Sequence, residues 1–524
     1  MKTFSFSKAR LVRAAMAVAA VAVFGLVLPT GAASAAVSVD GAGSTWSQIA
    51  VDQWRADVAR QGLSINYQGL GASTGRTFYI EGQTDFAVSE IPFQPASYDR
   101  DGNKLYDEVS RAAKRPYAYL PLTAGGTAFM YHLDVNGKRV TDLKLSGRTL
   151  AKIFTGKITS WDDPAITADD GRKFPHIDIT PVLRSDGSAT SYQLSNYLAK
   201  QFPDVWGPFC TAATHLQSPC PPTSLYPYFS NSRAQQGSDG VANYVAAPYN
   251  NGSIDYAEYG YALQRSFPVV SVLNKAGYYV QPTASNVAIA LQKARINSDR
   301  TQVLDDVYNN PDPRSYPVSS YGYMIAPTTT ASPFSADKGA VLGKFILYSV
   351  CAGQQKSVQL GYSPLPRNLV QFAFDAEKLI PGAPAPPAMS QCANPAVTGS
   401  FTTTNAPLPP ASAKQGAQGP AASSTNPGST NNSVTGGHTT STLATRGSKA
   451  AGKGGGSSSE TAAGPADGGS NVAVVAAPTL IGTGHDRVAM GVYVAAGLIV
   501  VLAIFLPPLA WSFLRRRDTR RASG

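Results

Sequence analysis

Apolar residues follow three regimes along the chain, and only the middle one has the periods of a folded domain. Leu11 to Leu28 is apolar except for Arg13, and Val488 to Leu514 is apolar with no charged residue at all. Between them, helical and strand periods take turns. Ile49, Ala50, Trp54 and Val58 mark one face of a helix over Ser47–Arg60, and further helices are predicted over Leu150–Phe154 and Val341–Val350, and from Thr190 and Gly237. Strands are predicted at Leu63–Tyr67, Phe86–Val88, Ala128–His132, Ile177–Leu183 and Tyr316–Ile325, with a turn into a strand at Gly252–Tyr256. That alternation predicts an α/β fold, and about 360 residues exceed what one core usually serves, so two lobes are expected.

The two apolar runs lie outside this domain. The first follows Lys2, Lys8 and Arg10 and ends at Ala33-Ser34-Ala35, the pattern of a cleaved export signal over 1–35. The second is long enough for a membrane span over 488–514. Arg515, Arg516, Arg517, Arg520 and Arg521 make 515–524 a basic cytoplasmic tail, with the N-terminal domain outside the cell. Residues 398–484 are rich in Ser, Thr, Gly, Ala and Pro without periodicity, a disordered linker with a span of roughly 50 Å. Leu480-Ile481-Gly482-Thr483-Gly484 resembles a wall-sorting signal, but Ile481 stands where that signal has proline, which favours membrane over wall.

Charge narrows the functional classes. The net +11 includes four positive charges in the leader and a net four in 485–524, leaving +3 for the rest, so no nucleic-acid surface is predicted. Four cysteines in an exported chain predict disulfides. Proximity favours Cys210 with Cys220 and Cys351 with Cys392, among three possible pairings. Five scattered histidines lack metal-ligand spacing, and Ser188 has neither a nucleophile elbow nor a visible base. The reading is of a non-enzyme without a cofactor.

The candidate chemistry lies in Arg184-Ser185-Asp186-Gly187-Ser188-Ala189-Thr190, between a strand and a helix. Free N–H groups at a helix start, hydroxyls and one arginine suit a tetrahedral oxyanion, although the same residues also suit any capped strand-to-helix turn. Two other strand ends, at Gly69–Gly75 and Ser89–Glu90, deliver hydroxyls and a carboxylate where open α/β sheets place ligands.

Seven blocks in order, Gly41–Trp46, Tyr67–Gly75, Asp85–Pro92, Arg184–Thr190, Gly237–Ala242, Gly252–Tyr259 and Leu360–Pro366, resemble the phosphate-binding protein of the bacterial phosphate ABC transporter. The resemblance implies a type II periplasmic-binding-protein fold over 36–397, with two lobes, two crossing strands, a ligand cleft and a hinge. Lobe one would take about 37–125 and 310–395, lobe two about 126–309. It implies a phosphate or related-oxyanion site at Thr45, the Trp46 backbone, Glu90, Arg184, Ser188, Ala189 and Thr190, and an ABC permease as partner. Three positions depart: Ala72 replaces a serine, Glu90 an aspartate and Ala189 a glycine, with Ser73 the candidate substitute hydroxyl. Those departures motivate an alternative, a cell-surface scaffold that kept the fold and changed or lost its ligand.

Overall fold

Strand β1 (Ser38–Gly43) lies between two parallel neighbours, β2 (Ser64–Gly69) and β3 (Phe86–Ser89), and helices α1 (Gln48–Ala59) and α2 (Ala72–Ile80) make the crossovers. The computed structural model describes residues 37–217 and 219–416; the expected leader, the 488–514 span and the basic tail lie outside the described residues. Among the described residues no helix is long and apolar enough to cross a membrane. Helix α1 buries Ala50, Val51, Trp54 and Val58, close to the predicted stripe. Helix α2 lies hard against β1 because Gly75 faces it: a Cβ there would stand 2.4 Å from Gly43 Cα and 2.6 Å from the Ala42 carbonyl oxygen.

The chain then enters β4 (Tyr117–Ala128), buried along nearly its whole length. The sequence pattern places a strand at Ala128–His132 instead, and the structure corrects this: beyond Ala128 there are isolated bridges, Met130 with Val269 and Tyr131 with Ile254. A strand buried on both faces shows no alternation, and Pro121 with Gly125-Gly126 reads as a breaker. The proline is accommodated at an irregularity, since Gly322 faces Thr123 while Tyr323 faces Pro121.

The second sheet is parallel, with β5 (Thr180–Arg184) at its centre. Helix α3 (Ala189–Gln201) follows β5, β6 (Arg233–Gln235) leads into α4 (Gly237–Ala246), and β7 (Ser253–Asp255) completes the sheet. The chain returns through β8 (Ala257–Glu258) and β9 (Ser319–Pro327), giving the large sheet the order β8-β4-β9-β3-β1-β2. Antiparallel β4 and β9 are therefore the strands that join the two lobes. One core gathers Val39, Trp54, Phe86 and Phe345; another gathers Phe129, Trp161, Leu183 and Trp206.

Helices α5 (Ala336–Val350) and α6 (Arg367–Glu377) close the domain, and disulfides join Cys210 to Cys220 and Cys351 to Cys392. Residues 398–416, expected to be the start of the linker, pack on the domain; the rest of 398–484 lies outside the described residues. The Arg314 guanidinium donates to the Thr403 and Ala406 carbonyls at 3.2 and 3.1 Å, and Gln415 N–H donates to the Gly277 carbonyl at 2.8 Å. A polar, proline-rich stretch can be held by its carbonyls without supplying a hydrophobic period.

Strand β7 ends in Asp255, which is wholly buried, with neither carboxylate oxygen hydrogen-bonded among the described residues. Burial pushes its pKa up from 3.8 to about 8, with the Met130 backbone and the Arg265 charge acting against it. The folded protein thus keeps a proton that the unfolded chain loses, so this contribution to stability is complete below the unfolded value and declines as pH rises toward 8. Asp255→Asn is expected to match the parent in urea denaturation near pH 4 and to exceed it near pH 8.

Candidate anion site between the lobes

Four helices begin where the lobes meet. Thr45, just ahead of α1, accepts at Oγ1 from the N–H of Ser238 in the first turn of α4, at 3.0 Å. Ser73, in the first turn of α2, donates its N–H to the Gly187 carbonyl at 3.0 Å, one residue before the Ser188 cap of α3. The first N–H groups of each helix have no intrahelical acceptor, and each helix start carries partial positive charge. Glycine makes the approach possible. Gly71 has φ +93°, and a Cβ on it would stand 3.1 Å from the Gly187 carbonyl oxygen across the cleft.

Arg184 stands at the end of β5 in the middle of these helix starts, only 2% exposed. Its Nε donates to Asp186 Oδ1 at 2.8 Å and its Nη2 donates to Asp186 Oδ2. Nη1 points to two hydroxyls, Ser238 Oγ at 3.3 Å and Thr190 Oγ1 at 3.5 Å. Asp186 Oδ1 also accepts from Gly237 N–H at 2.8 Å. Burial works to raise the Asp186 pKa, but the Arg184 charge and these hydrogen bonds outweigh it and hold the carboxyl below its usual range. The guanidinium is thereby fixed along one edge while the other faces hydroxyls.

Glu90 lies on the other side, buried at the end of β3. Ser44 Oγ donates to its Oε1, and Ser47 Oγ does so at 2.9 Å. Burial raises its pKa, while the two hydroxyls and the Arg184 charge act in the opposite direction. Both hydroxyls come from the residues just ahead of α1, and Ser47 Oγ is also 3.0 Å from Thr123 Oγ1 on β4. The Glu90 carbonyl accepts the side-chain amides of Gln193, on α3, and Gln302, at 3.0 and 3.1 Å.

The structure therefore brings Thr45, Arg184, Thr190 and Glu90 into one buried cluster. Ser188 caps α3, its Oγ accepting from Thr190 and Ser191 N–H at 3.1 and 3.3 Å, which leaves its proton free to donate. Trp46 is buried at the start of α1 and its carbonyl accepts from Tyr362 OH. Ser73 is placed apart: its Oγ accepts from Arg76 Nη2 at 3.3 Å, and it lines a cavity of about 390 Å³ with Arg76 and Glu108 on the outer side of the Gly187 contact. Ala72 and Ala189 meet Ile91 in a small buried apolar cluster, so methyl groups touch at two of the three departing positions. Sequence reasoning did not select Ser44, Asp186 or Ser238. All three lie inside the seven blocks, and the i,i+2 spacing of Arg184 and Asp186 at a strand end was the available signal.

Two lobes joined by β4 and β9, with buried polar groups gathered at helix starts between them, define the two-lobed solute-receptor class. Comparison with known proteins makes this specific. Residues 30–352 match the PBP superfamily domain. The chain is 31% identical over 347 residues to the phosphate-binding protein PstS of Xylella fastidiosa (strain Temecula1 / ATCC 700964), covering 66% of this chain and 85% of that protein. It is 28% identical over 340 residues to the phosphate-binding protein PstS of Pasteurella multocida (strain Pm70), covering 64% and 88%. A solved phosphate-binding protein from Stenotrophomonas maltophilia aligns with a TM-score of 0.48 at 18% identity, covering 64% of this chain and 93% of that one. The chain belongs to the PBP superfamily and, within it, to the family of these phosphate-binding proteins.

Because Asp186 is the bonded counter-charge of a buried arginine, Asp186→Asn is expected to lower the unfolding free energy by about 3–5 kcal/mol. Urea denaturation measures this, and a loss below about 1 kcal/mol is the value of a surface pair and contradicts the assignment.

Proposed function

We propose that the protein is an exported receptor for phosphate or a closely related oxyanion that passes its ligand to an ABC transporter permease. The observation that carries this reading is Arg184, fixed by Asp186 and turned toward the Thr190 and Ser238 hydroxyls where four helices begin. Thr45, the Trp46 and Ala189 N–H groups, Ser188 and Thr190 are the donors, while the Ser73 hydroxyl is turned away toward Arg76. Glu90 is the acceptor for a proton on the ligand, so protonated phosphate is received while fully ionised sulfate brings no proton and adds repulsion. The work is binding and release, not catalysis: among the described residues Ser188 Oγ is bonded by the Thr190 and Ser191 N–H groups and by no side chain that could serve as its base. The relatives named as phosphate-binding proteins support the ligand. The apolar run 488–514, followed by five arginines, supports a single-pass anchor with the binding domain outside the cell.

One observation favours a second reading, a surface scaffold with an altered site: the Ala72–Ile91–Ala189 contact puts methyl groups where the resemblance implies a donor and an open backbone. Calorimetry on the full-length protein separates the two. Under the receptor reading phosphate releases heat and sulfate does not, and Arg184→Gln weakens phosphate by roughly 10- to 100-fold. No heat and no thermal shift with phosphate would leave the scaffold reading in its place.

The methyl contact makes its own prediction. Ala72→Ser restores one donor, and phosphate affinity is expected to rise by about 2- to 10-fold in the same titration.

A further inference from the structure

A second cavity, of about 420 Å³, lies away from the anion cluster, against the two strands that join the lobes. Ala124 of β4 and Tyr321 of β9 form its back, Leu291, Ile296 and Phe401 supply apolar walls, and α6 begins at its rim. Its size is within the range of small-molecule sites, and its lining mixes polar groups with the apolar walls.

The polar groups here share one chemistry. Ser363 lines the cavity, is 1% exposed, and its Oγ has no hydrogen-bond partner among the described residues. A buried hydroxyl of this kind needs a hydrogen-bond partner, and the cavity is the side from which an acceptor oxygen can reach it. Arg367 and Asn368, the first two residues of α6, also line the cavity, and Pro366 at the cap position offers no side-chain acceptor to their N–H groups. Among the described residues Arg367 is the one ionic side chain in the lining, with no acidic residue beside it. The outer wall is held independently, since Gln292 Nε2 donates to Thr403 Oγ1 at 2.8 Å and Arg314 holds the Thr403 and Ala406 carbonyls.

We infer that this cavity is a binding site for a small amphipathic carboxylate, its head on Ser363, Arg367 and the start of α6 and its hydrocarbon against Leu291, Ile296 and Phe401. The acid takes the charge of Arg367 and the helix end, and the tail replaces water on the apolar walls.

The test uses the full-length protein with octanoate and, as the uncharged analogue, 1-octanol, each titrated by calorimetry. Octanoate is expected to bind saturably and more tightly than 1-octanol, and Arg367→Gln is expected to weaken it roughly tenfold, the loss of one charged hydrogen bond. Ser363→Ala is expected to weaken it too, and Arg184→Gln to leave it unchanged, which keeps this site distinct from the anion cluster whatever phosphate does. Absence of saturable octanoate binding overturns the assignment. So does binding that is indifferent to both Arg367→Gln and Ser363→Ala, or that disappears with Arg184→Gln.

Discussion

The constraint on which the rest of the molecule depends is the electrostatics of four helix starts and one arginine gathered out of water. Each helix start brings partial positive charge, and Arg184 adds a full one at 2% exposure. Such a concentration persists only with negative charge in contact. Asp186 supplies it permanently, held ionised by the guanidinium and by Gly237 N–H. Glu90 supplies it conditionally, because burial lifts its pKa while Ser44, Ser47 and Arg184 pull the other way. One fixed and one adjustable carboxyl leave room for an anion that can share a proton.

Bringing four helix ends together also constrains the backbone. Helix α2 reaches the ends of the strands because Gly75 lets it lie directly on β1, and the lobes approach because Gly71 and Gly187 have no side chains between them. A Cβ on Gly187 would stand 2.5 Å from Ser73 Cβ. The two strands that join the lobes meet the opposite demand. Strands β4 and β9 are buried almost throughout, and the irregularity at Pro121 and Gly322 breaks the ladder where a continuous strand pair would be stiffest.

How much of this was legible depended on whether a residue's role is local. The α1 stripe, the α3 and α4 starts and the Arg184–Thr190 turn follow from neighbours in sequence, and each is found within a few residues of its predicted place. Strand β4 was hidden because burial on both faces removes the alternation that reveals a strand. Residues 398–416 were read as linker because they are held through backbone carbonyls, which composition does not report. Asp186 and Ser238 were passed over because their value lies in partners brought by the fold: the Gly237 N–H comes from beyond β6, and Thr45 from the other lobe. Ser73 shows the reverse error of adjacency. It follows Ala72 directly, yet one step along a helix turns a side chain by about 100°, and its hydroxyl faces Arg76 on the outer side of the contact.

The contacts between the lobes bear on affinity. Ser238 N–H to Thr45, Ser73 N–H to Gly187 and the Gln193 amide to the Glu90 carbonyl are bonds from protein to protein across the cleft. The Ala72–Ile91–Ala189 contact adds apolar area to the same interface. Each favours the lobes being together whatever lies between them. A ligand's apparent affinity is its intrinsic affinity multiplied by the fraction of molecules already competent to bind. Residues that close the cleft on their own account therefore raise that fraction even where they remove a donor. Alanine at 72 and 189 thus acts on two terms of opposite sign: fewer bonds to the anion, and a smaller cost of closing around it.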